Sequence, residues 1–294
     1  MSTLTDVGYL GLGHMGGAIA ERLLGQSFRL HVHDPAPGAM QRFTDAGAVA
    51  HDSPRSVADA ATLVFACLPS QAVSLEVALG PQGVAQGKAV KVYADMSTIG
   101  HEVIGQIASG LAPHGITGID APVTGGPPAA RAGRLTLLVS GEPAGVALAR
   151  PLLSLMGRAV HVLGDRPGMA QIMKVVNNAM LGAHMIVASE ALGMGQRAGL
   201  DPVQMLEVLR TGTGQSFAGC EILARAVEGH YDFGAALTVL VKDMALGVEE
   251  ARSLGLDLPV IGQARATWDA AKDDGWGERD FTTILPYVQG KDAG

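Results

Sequence analysis

The chain has 294 residues, enough for one large or two ordinary domains, and 48% of them are hydrophobic although only 4% are aromatic. Its 21 basic and 28 acidic residues give a formal charge of -7 without a basic cluster, so we expect no nucleic acid partner. No apolar run approaches the ~20 residues of a membrane helix and the amino terminus, MSTLTDVGYLG, enters a strand pattern at once, so we expect a cytoplasmic protein without membrane contact.

Short apolar runs alternate with helical or glycine- and proline-rich segments from residue 6 to about 163. This alternation is typical of an α/β fold with a doubly wound parallel sheet. The predicted strands lie in DVGYL, FRLHVHD, TLVFACLP, KVYADMS, GITGIDAP, RLTLLVSG and RAVHVLG. Several of these runs end in Pro, Ser, Thr or Gly, residues that shape the loops where ligands of open α/β sheets bind. We therefore predict a Rossmann-like domain over residues 1–164.

A glycine motif follows the first predicted strand. The segment VGYLGLGHMGGAIAERLL carries G-x-G-x-x-G at Gly11, Gly13 and Gly16, directly before a predicted helix. Glycines in this context allow a tight turn, close approach to a pyrophosphate and close helix packing, whereas the spacing alone would also fit a simple glycine-rich turn. The predicted cofactor contacts come from the whole loop, namely Gly11, Leu12, Gly13, His14, Met15 and Gly16.

An acidic residue, Asp34, ends the second predicted strand 18 residues beyond Gly16. A carboxylate there accepts hydrogen bonds from the adenosine ribose hydroxyls and repels a 2'-phosphate. Residues 35–38 supply no arginine to receive such a phosphate, so the sequence favours NAD over NADP. The alternative is that Asp34, which precedes a proline, is only a turn residue.

The strand pattern ends near Gly168, and we expect an all-helical domain over residues 165–294. One helix is predicted from Met169 to Arg197, in which Gly182, Gly193 and Gly195 indicate close packing or local breaks. Asp201 and Pro202 predict the cap and first residue of the next helix. Further helices are expected near 202–210, 217–228, 235–254, 259–272 and 280–288.

A single lysine, Lys174, lies in the apolar helical segment GMAQIMKVVNNAM, residues 168 to 180. On a helix that is packed over much of its circumference, this lysine either snorkels to water or is used chemically. The methionines at 169, 173 and 180 are expected in the core, because Met fills irregular gaps well.

The remaining chemical side chains indicate no metal centre. Cys67 and Cys220 lie far apart, belong to no C-x-x-C pair and are expected to be buried thiols. His31 and His33 share one strand face, but no third ligand lies nearby in the sequence.

Five blocks in order resemble the β-hydroxyacid dehydrogenases, the family of 3-hydroxyisobutyrate dehydrogenase. The blocks are GLGHMGGAIA, DMSTI, DAPVTGGPPAARAGRLTLLVSG, GMAQIMKVVNN and VKDMALG, and together they span nearly the whole chain. The resemblance implies a Rossmann-like domain and a helical domain joined by a long helix. It also implies assembly as a homodimer or homotetramer.

The resemblance implies a role for particular residues. Lys174 is then the catalytic lysine and Asn178 its substrate-binding companion one turn on. The substrate carboxylate binds Thr124, Gly125 and Gly126, where the family more often has serine at the first position. The cofactor contacts are Leu68 and Pro69, which line its groove, and Thr98 and Lys242, which lie near the nicotinamide. Alternatively, Thr98 only caps a helix, and Lys242 with Asp243 forms an exposed charge pair.

These residues predict hydride transfer between a nicotinamide cofactor and a short β-hydroxyacid or its aldehyde or keto form. An imine reductase shares the fold, but an aspartate or tyrosine commonly stands at its lysine position. A 6-phosphogluconate dehydrogenase needs a longer helical region than the roughly 130 residues here. A cofactor-binding scaffold without turnover is the third alternative, which the presence of Lys174 and Asn178 disfavours.

Overall fold

The computed structural model describes residues 4–291, and internal contacts divide the chain into two units. The first unit is Met1–Lys174 and the second is Val175–Gly294. The division falls inside one long helix, ten residues beyond the boundary at 164 that the strand pattern predicts. The named strands lie in the first unit, and the described residues of the second unit form helices with one isolated β-bridge between Ala236 and Asp280.

Nine strands form one sheet in the described part of the first unit. Each of the seven predicted runs contains a strand, and β3 and β7 are two-residue strands too short to give a sequence pattern. The strands are β1 (Asp6–Leu10), β2 (Arg29–His33), β3 (Val49–Ala50), β4 (Leu63–Ala66), β5 (Val92–Asp95), β6 (Thr117–Asp120), β7 (Val123–Thr124), β8 (Leu135–Ser140) and β9 (Gly157–Gly164).

The sheet order is β3-β2-β1-β4-β5-β6-β8-β7, with β9 beside β8. Strands β1 to β6 pair in parallel, and the chain order reverses direction between β1 and β4. Ligands of open α/β sheets bind at the carboxyl ends of the strands at such a reversal. Strand β8 runs antiparallel to β6 and β7, which the pattern of apolar runs did not indicate.

Alternate residues of the central strands enter two different cores. Val7 and Tyr9 of β1 pack on one face of the sheet with Phe65, whereas Leu10 packs on the other with Val64. This alternation follows from the two-residue period of a strand, and residues on both sides are buried because helices cover both faces. The central strands therefore read as continuous apolar runs.

The first seven α-helices have between 5 and 14 residues. They are α1 (His14–Ala20), α2 (Gln41–Asp45), α3 (Pro54–Ala60), α4 (Gln71–Leu79), α5 (His101–Leu111), α6 (Gly126–Arg131) and α7 (Pro143–Met156). The next helix, α8 (Met169–Arg197), has the predicted bounds and carries the division between the units.

The second unit continues with five more α-helices in its described residues. They are α9 (Pro202–Thr211), α11 (Leu237–Ser253), α12 (Pro259–Ala271) and α13 (Ile284–Val288), together with the single turn α10 (Ala224–Val227). The helix predicted near 217–228 is divided, because a π-helical turn at Ala218–Ile222 precedes α10. The last predicted helix is likewise divided, since a 3-10 turn at Phe281–Thr283 precedes α13.

Close packing explains the glycines of α8. An added Cβ at Gly182 would collide with the Met244 side chain, and Trp268 Nε1 donates to the Gly182 carbonyl oxygen at 3.1 Å. Gly195 is similarly close to the Met205 side chain, so the glycines mark packing and not breaks. Asp201 caps α9 as predicted, because its side chain accepts from the Gln204 backbone N–H at 2.9 Å.

Candidate active site

The three motif glycines have three different surroundings. Gly11 has φ +87°, and a Cβ there would collide with the Cys67 carbonyl oxygen. A Cβ at Gly16 would collide with the Gly11 carbonyl oxygen, so this glycine lets α1 approach β1. Gly13 instead caps α1 and has no protein atom within 4 Å of an added Cβ, which leaves its outer side open. These are the features that a pyrophosphate-binding turn needs.

Asp34 directly follows β2 and is tied to the glycine loop. Its Oδ2 accepts from the Leu12 backbone N–H at 2.6 Å, and its Oδ1 accepts from the Ala36 backbone N–H at 2.8 Å. The second contact is the turn role that the sequence left open, and the first fixes the carboxylate beside the motif. Asp34 thus lies where a ribose-binding carboxylate lies in dinucleotide folds.

Leu68 and Thr98 follow the neighbouring parallel strands β4 and β5. The Leu68 backbone N–H donates to Ser97 Oγ at 2.8 Å, so the two loops are joined at the carboxyl edge of the sheet. Pro69 is exposed beside Leu68. Thr98 is half-buried and lies two residues before Gly100, the N-cap residue of α5. Its cofactor contact and its role as a helix cap both stay predictions.

The Thr124–Gly126 loop joins the edge strand β7 to α6. Gly125 has φ +131° and Gly126 has φ +73°, conformations that favour glycine at both positions. Thr124 is half-buried and lies opposite Thr136 of β8. The backbone therefore turns sharply next to a hydroxyl, which gives a short polar loop.

Lys174 lies in the second turn of α8 and is only 9% exposed. Exposure this low disfavours a side chain that extends freely into water. A lysine is almost never this buried unless its head group is satisfied locally. The catalytic role of Lys174 stays a prediction.

A buried polar cluster fixes the start of α8. Asp120 Oδ1 accepts from the Gly168 backbone N–H at 3.1 Å, and its Oδ2 accepts from the Gln171 backbone N–H at 3.0 Å. Ser140 Oγ donates to Asp120 at 2.6 Å and accepts from the Ala170 backbone N–H at 2.9 Å. The first N–H groups of a helix have no partner within the helix, so these side chains satisfy them. The carboxylate also faces the positive end of the helix dipole.

Burial makes the ionised form of the Asp120 carboxyl less favourable. Burial raises the pKa of this carboxyl to about 6, and the hydrogen bonds from Ser140, Gly168 and Gln171 offset only part of that rise. Burial also raises the pKa of Asp95, which accepts from the Ser97 backbone N–H at 2.8 Å in the Thr98 loop. Sequence reasoning missed both aspartates as well as Gln171, although Asp120 stands in the quoted DAPVTGG block.

Asn178 and Lys242 belong to the second unit, and both contact the carboxylate of Asp243. Asn178 Nδ2 donates to Asp243 Oδ2 at 2.5 Å, and Lys242 Nζ lies 2.7 Å from Asp243 Oδ1. Asn177 Nδ2 donates to Asn178 Oδ1 at 2.9 Å. Asp243 is buried, so its pair with Lys242 is not the exposed charge pair of the alternative reading. Sequence reasoning considered Asp243 only as the partner of Lys242 and missed its contact with Asn178. The i, i+4 spacing of Lys174 and Asn178 did indicate a shared helix face.

The prediction that Met169, Met173 and Met180 lie in the core is wrong. Their exposed fractions are 46%, 39% and 51%. The core side of α8 is instead formed by smaller residues such as Ala170, Val175 and Ala179. The methionines lie away from these on the helix wheel, since 100° separates successive residues.

Two other classes of site have no support in residues 4–291. No group of three or more His, Cys, Asp and Glu side chains could hold a metal ion. His31 is occupied by other contacts, since its ring nitrogens lie 2.9 Å from Asp6 Oδ1 and 2.8 Å from His51 Nε2. Cys220 is buried as predicted, whereas Cys67 is half-buried beside the glycine loop. In the same residues, no helix combines the length and apolarity of a membrane span.

Two family models match the two halves of the chain. Residues 6–164 match the NAD binding domain of 6-phosphogluconate dehydrogenase, and residues 168–288 match the NAD-binding region of NADP-dependent 3-hydroxyisobutyrate dehydrogenase. The 3-hydroxyisobutyrate dehydrogenase of Pseudomonas aeruginosa is 35% identical, over 98% of this chain and 100% of that protein. The chain belongs to the β-hydroxyacid dehydrogenase family. It is an oxidoreductase that exchanges a hydride between a nicotinamide cofactor and a hydroxyacid.

Further relatives of this dehydrogenase agree in sequence and in fold. The 2-(hydroxymethyl)glutarate dehydrogenase of Eubacterium barkeri is 31% identical over 97% of this chain and 95% of that protein. The crystal structure of 3-hydroxyisobutyrate dehydrogenase from Salmonella typhimurium superposes with a TM-score of 0.86 at 27% identity, covering 96% of this chain and 99% of that one. The prediction of a Rossmann-like domain followed by a helical domain is confirmed.

The imine reductases are related at the level of the fold. The imine reductase of Streptomyces aurantiacus has a TM-score of 0.65 at 20% identity, with 97% of this chain and 99% of that chain covered. An identity this low shows a shared architecture only. The comparisons therefore favour a hydroxyacid dehydrogenase over an imine reductase.

Proposed function

We propose that this enzyme is an NAD-preferring dehydrogenase of short β-hydroxyacids resembling 3-hydroxyisobutyrate, with Lys174 as its proton-transfer group. The observation that carries the proposal is the burial of Lys174 in the second turn of α8, next to a fixed helix start. The low exposure of Lys174 supports a role for its amine inside the protein rather than in bulk water. The relatives that act on 3-hydroxyisobutyrate and 2-(hydroxymethyl)glutarate support the substrate class.

The glycine loop fits a dinucleotide, because Gly13 presents an open backbone and Gly11 and Gly16 allow the tight turn. A bound nicotinamide cofactor supplies the carbon that gives or takes the hydride. Leu12 and Met15 belong to the loop that holds the pyrophosphate, and His14 begins α1. Leu68 and Pro69 line the cofactor groove, with Thr98 at its nicotinamide end. We assign Lys242 a cofactor contact on the family resemblance alone.

Lys174 Nζ holds the substrate oxygen and moves one proton. As a neutral amine it accepts the alcohol proton during oxidation, and as an ammonium it donates a proton during reduction. Asn178, oriented by Asp243, hydrogen-bonds the same substrate from one turn further along α8. The Thr124 hydroxyl and the backbone N–H groups of Gly125 and Gly126 bind the carboxylate, as backbone N–H groups in a tight turn favour anions.

The preference for NAD rests on Asp34. Its carboxylate is fixed beside the glycine loop, where it accepts from ribose hydroxyls and repels a 2'-phosphate. The family model matched by the helical half is that of an NADP-dependent enzyme, so the preference needs a direct test. We place the reaction in the cytoplasm, where nicotinamide cofactors are maintained.

We also propose that the enzyme is a homodimer or homotetramer. Met173, Met180, Val187 and Met194 are exposed on α8 at intervals of seven residues. A seven-residue apolar repeat is the pattern by which helices pair, and a second copy supplies the same stripe. Light scattering of the purified protein measures the assembly directly.

A spectrophotometric screen tests the proposed reaction. Short β-hydroxyacids are offered with NAD and with NADP, and the reduced cofactor is followed by its absorbance. We expect turnover with at least one β-hydroxyacid that carries a free carboxylate, and higher kcat/KM with NAD. Turnover confined to α-hydroxyacids, or to imines in the reverse direction, would contradict the proposal.

A further inference from the structure

The Gln171 side chain joins two segments of the first unit that both have proposed roles. Its Oε1 accepts from the Ile99 backbone N–H at 3.0 Å and from the Gly100 backbone N–H at 3.1 Å. Its Nε2 donates to the Ser97 carbonyl oxygen at 2.9 Å. One fully buried amide thus makes three hydrogen bonds to the loop that carries Thr98. The residue itself lies on α8, three positions before Lys174.

We propose that Gln171 is a positioning residue that sets the placement of Lys174 relative to the Thr98 loop. A helix is stiff over one turn, so anchoring residue 171 fixes the backbone of residue 174. Hydride transfer needs its reacting atoms about 3–3.5 Å apart, and a misplacement of ~1 Å costs on the order of 100-fold in rate. This inference rests on the proposed role of Lys174.

Capping the helix does not account for Gln171. Asp120 accepts from the Gly168 and Gln171 backbone N–H groups, and Ser140 accepts from that of Ala170. Asp120 and Ser140 therefore satisfy these N–H groups at the helix start. The Gln171 side chain makes its hydrogen bonds to the Thr98 loop instead. All three side-chain hydrogen bonds of Gln171 therefore connect α8 to the loop that carries Thr98.

The chain offers a matched control in Gln71, a residue of α4. Its Nε2 donates to the Ile99 carbonyl oxygen at 2.7 Å, so it braces the same loop without touching α8. Gln171→Met and Gln71→Met each remove a glutamine amide of similar size from this loop. Only the first of them breaks the link to the helix of Lys174.

The test is single-turnover hydride transfer at saturating NAD and substrate, with deuterium at the transferred position as a second readout. We expect Gln171→Met to slow the step at least fivefold more than Gln71→Met, with a larger isotope effect and smaller changes in KM and in the Kd for NAD. A ratio below fivefold would overturn the proposal, because bracing of the loop would then explain the loss.

Gln171→Glu provides a second test should the methionine variant fail to fold. A protonated carboxyl can remake all three contacts, whereas an ionised one opposes the Ser97 carbonyl oxygen. The rate ratio of Gln171→Glu to wild type should approach one at low pH and fall as pH rises. The nearby Asp120 titrates in both proteins and so largely cancels in the ratio. A ratio of one at every pH would overturn the proposal.

The proposed function can fail separately. In the same assay, Lys174→Met should transfer hydride slowly whether or not Gln171 has a positioning role. If Lys174→Met transfers hydride at the wild-type rate, the proposed role of Lys174 is wrong. If Lys174→Met is slow while the Gln171 variants match their controls, only the positioning role of Gln171 is wrong.

Discussion

Removing the Ser140 hydroxyl should destabilise the protein by an amount that depends on pH. In Ser140→Ala the Asp120 carboxylate loses a donor at 2.6 Å and the buried Ala170 N–H loses its acceptor. A hydrogen bond to a charged group contributes about 1.5–3 kcal/mol, and an unsatisfied buried N–H costs a similar amount. Because the alanine also removes the cost of ordering the hydroxyl, we expect a net loss of about 2–4 kcal/mol at neutral pH.

The pH dependence follows from the raised pKa of Asp120. Its folded-state pKa of about 6 lies above the ordinary aspartate pKa of 3.8, so the folded protein binds the proton more tightly than the unfolded chain does. As pH rises from about 4 to about 6, Asp120 must ionise in the folded protein, and the free energy of unfolding falls. The loss is roughly 3 kcal/mol, at 1.36 kcal/mol for each unit of pKa difference. Losing the Ser140 donor raises this pKa further, so Ser140→Ala should cost more at pH 7.5 than at pH 5.

Urea unfolding followed by circular dichroism at both pH values measures the effect. Ser189→Ala is the control, since Ser189 is equally buried but donates to the Met185 carbonyl oxygen, which does not titrate. Its cost should be the same at both pH values. Equal costs of Ser140→Ala at pH 5 and pH 7.5 would refute the assignment of a charged, hydroxyl-stabilised Asp120.

Two further predictions concern the cofactor and substrate loops. Asp34→Ser combined with Ala36→Arg should raise the ratio of kcat/KM for NADP to that for NAD by at least ~10-fold, about 1.4 kcal/mol, and equal or better use of NADP by the unmodified enzyme would count against the role of Asp34. Thr124→Ser should retain turnover, whereas Thr124→Val should lose about 1–3 kcal/mol in kcat/KM with the Kd for NAD nearly unchanged. Full activity of Thr124→Val on the best substrate would make the hydroxyl structural only.

The sequence predicted the features that depend on near neighbours. The glycine motif needs only β1, a turn and α1, which lie within residues 6–20, and the Asp201 cap depends on a residue three positions away. The strands β3 and β7 and the antiparallel course of β8 were not predicted, since two-residue strands carry no period and pairing direction depends on distant partners.

Local sequence patterns could not predict the hydrogen-bonded cluster at the start of α8. Gln171 contacts residues more than 70 positions away, and Asp120 contacts residues about 50 positions away, so only the fold brings them together. A buried glutamine in an apolar helix was a signal, but periodicity does not reveal what its amide contacts. The exposed methionines of α8 show the converse, because an apolar residue type alone does not say which face of a helix is covered.

The most direct test of the central claim is the rate of hydride transfer by Lys174 variants, measured in single turnovers at saturating cofactor and substrate. Lys174→Met removes the proton-transfer group, and Lys174→Arg keeps a charge that cannot accept the alcohol proton. We expect both variants to fold, bind NAD and lose at least ~100-fold in rate, the lower end of what a general acid or base contributes. Rates within about threefold of wild type would show that buried Lys174 takes no part in the chemistry.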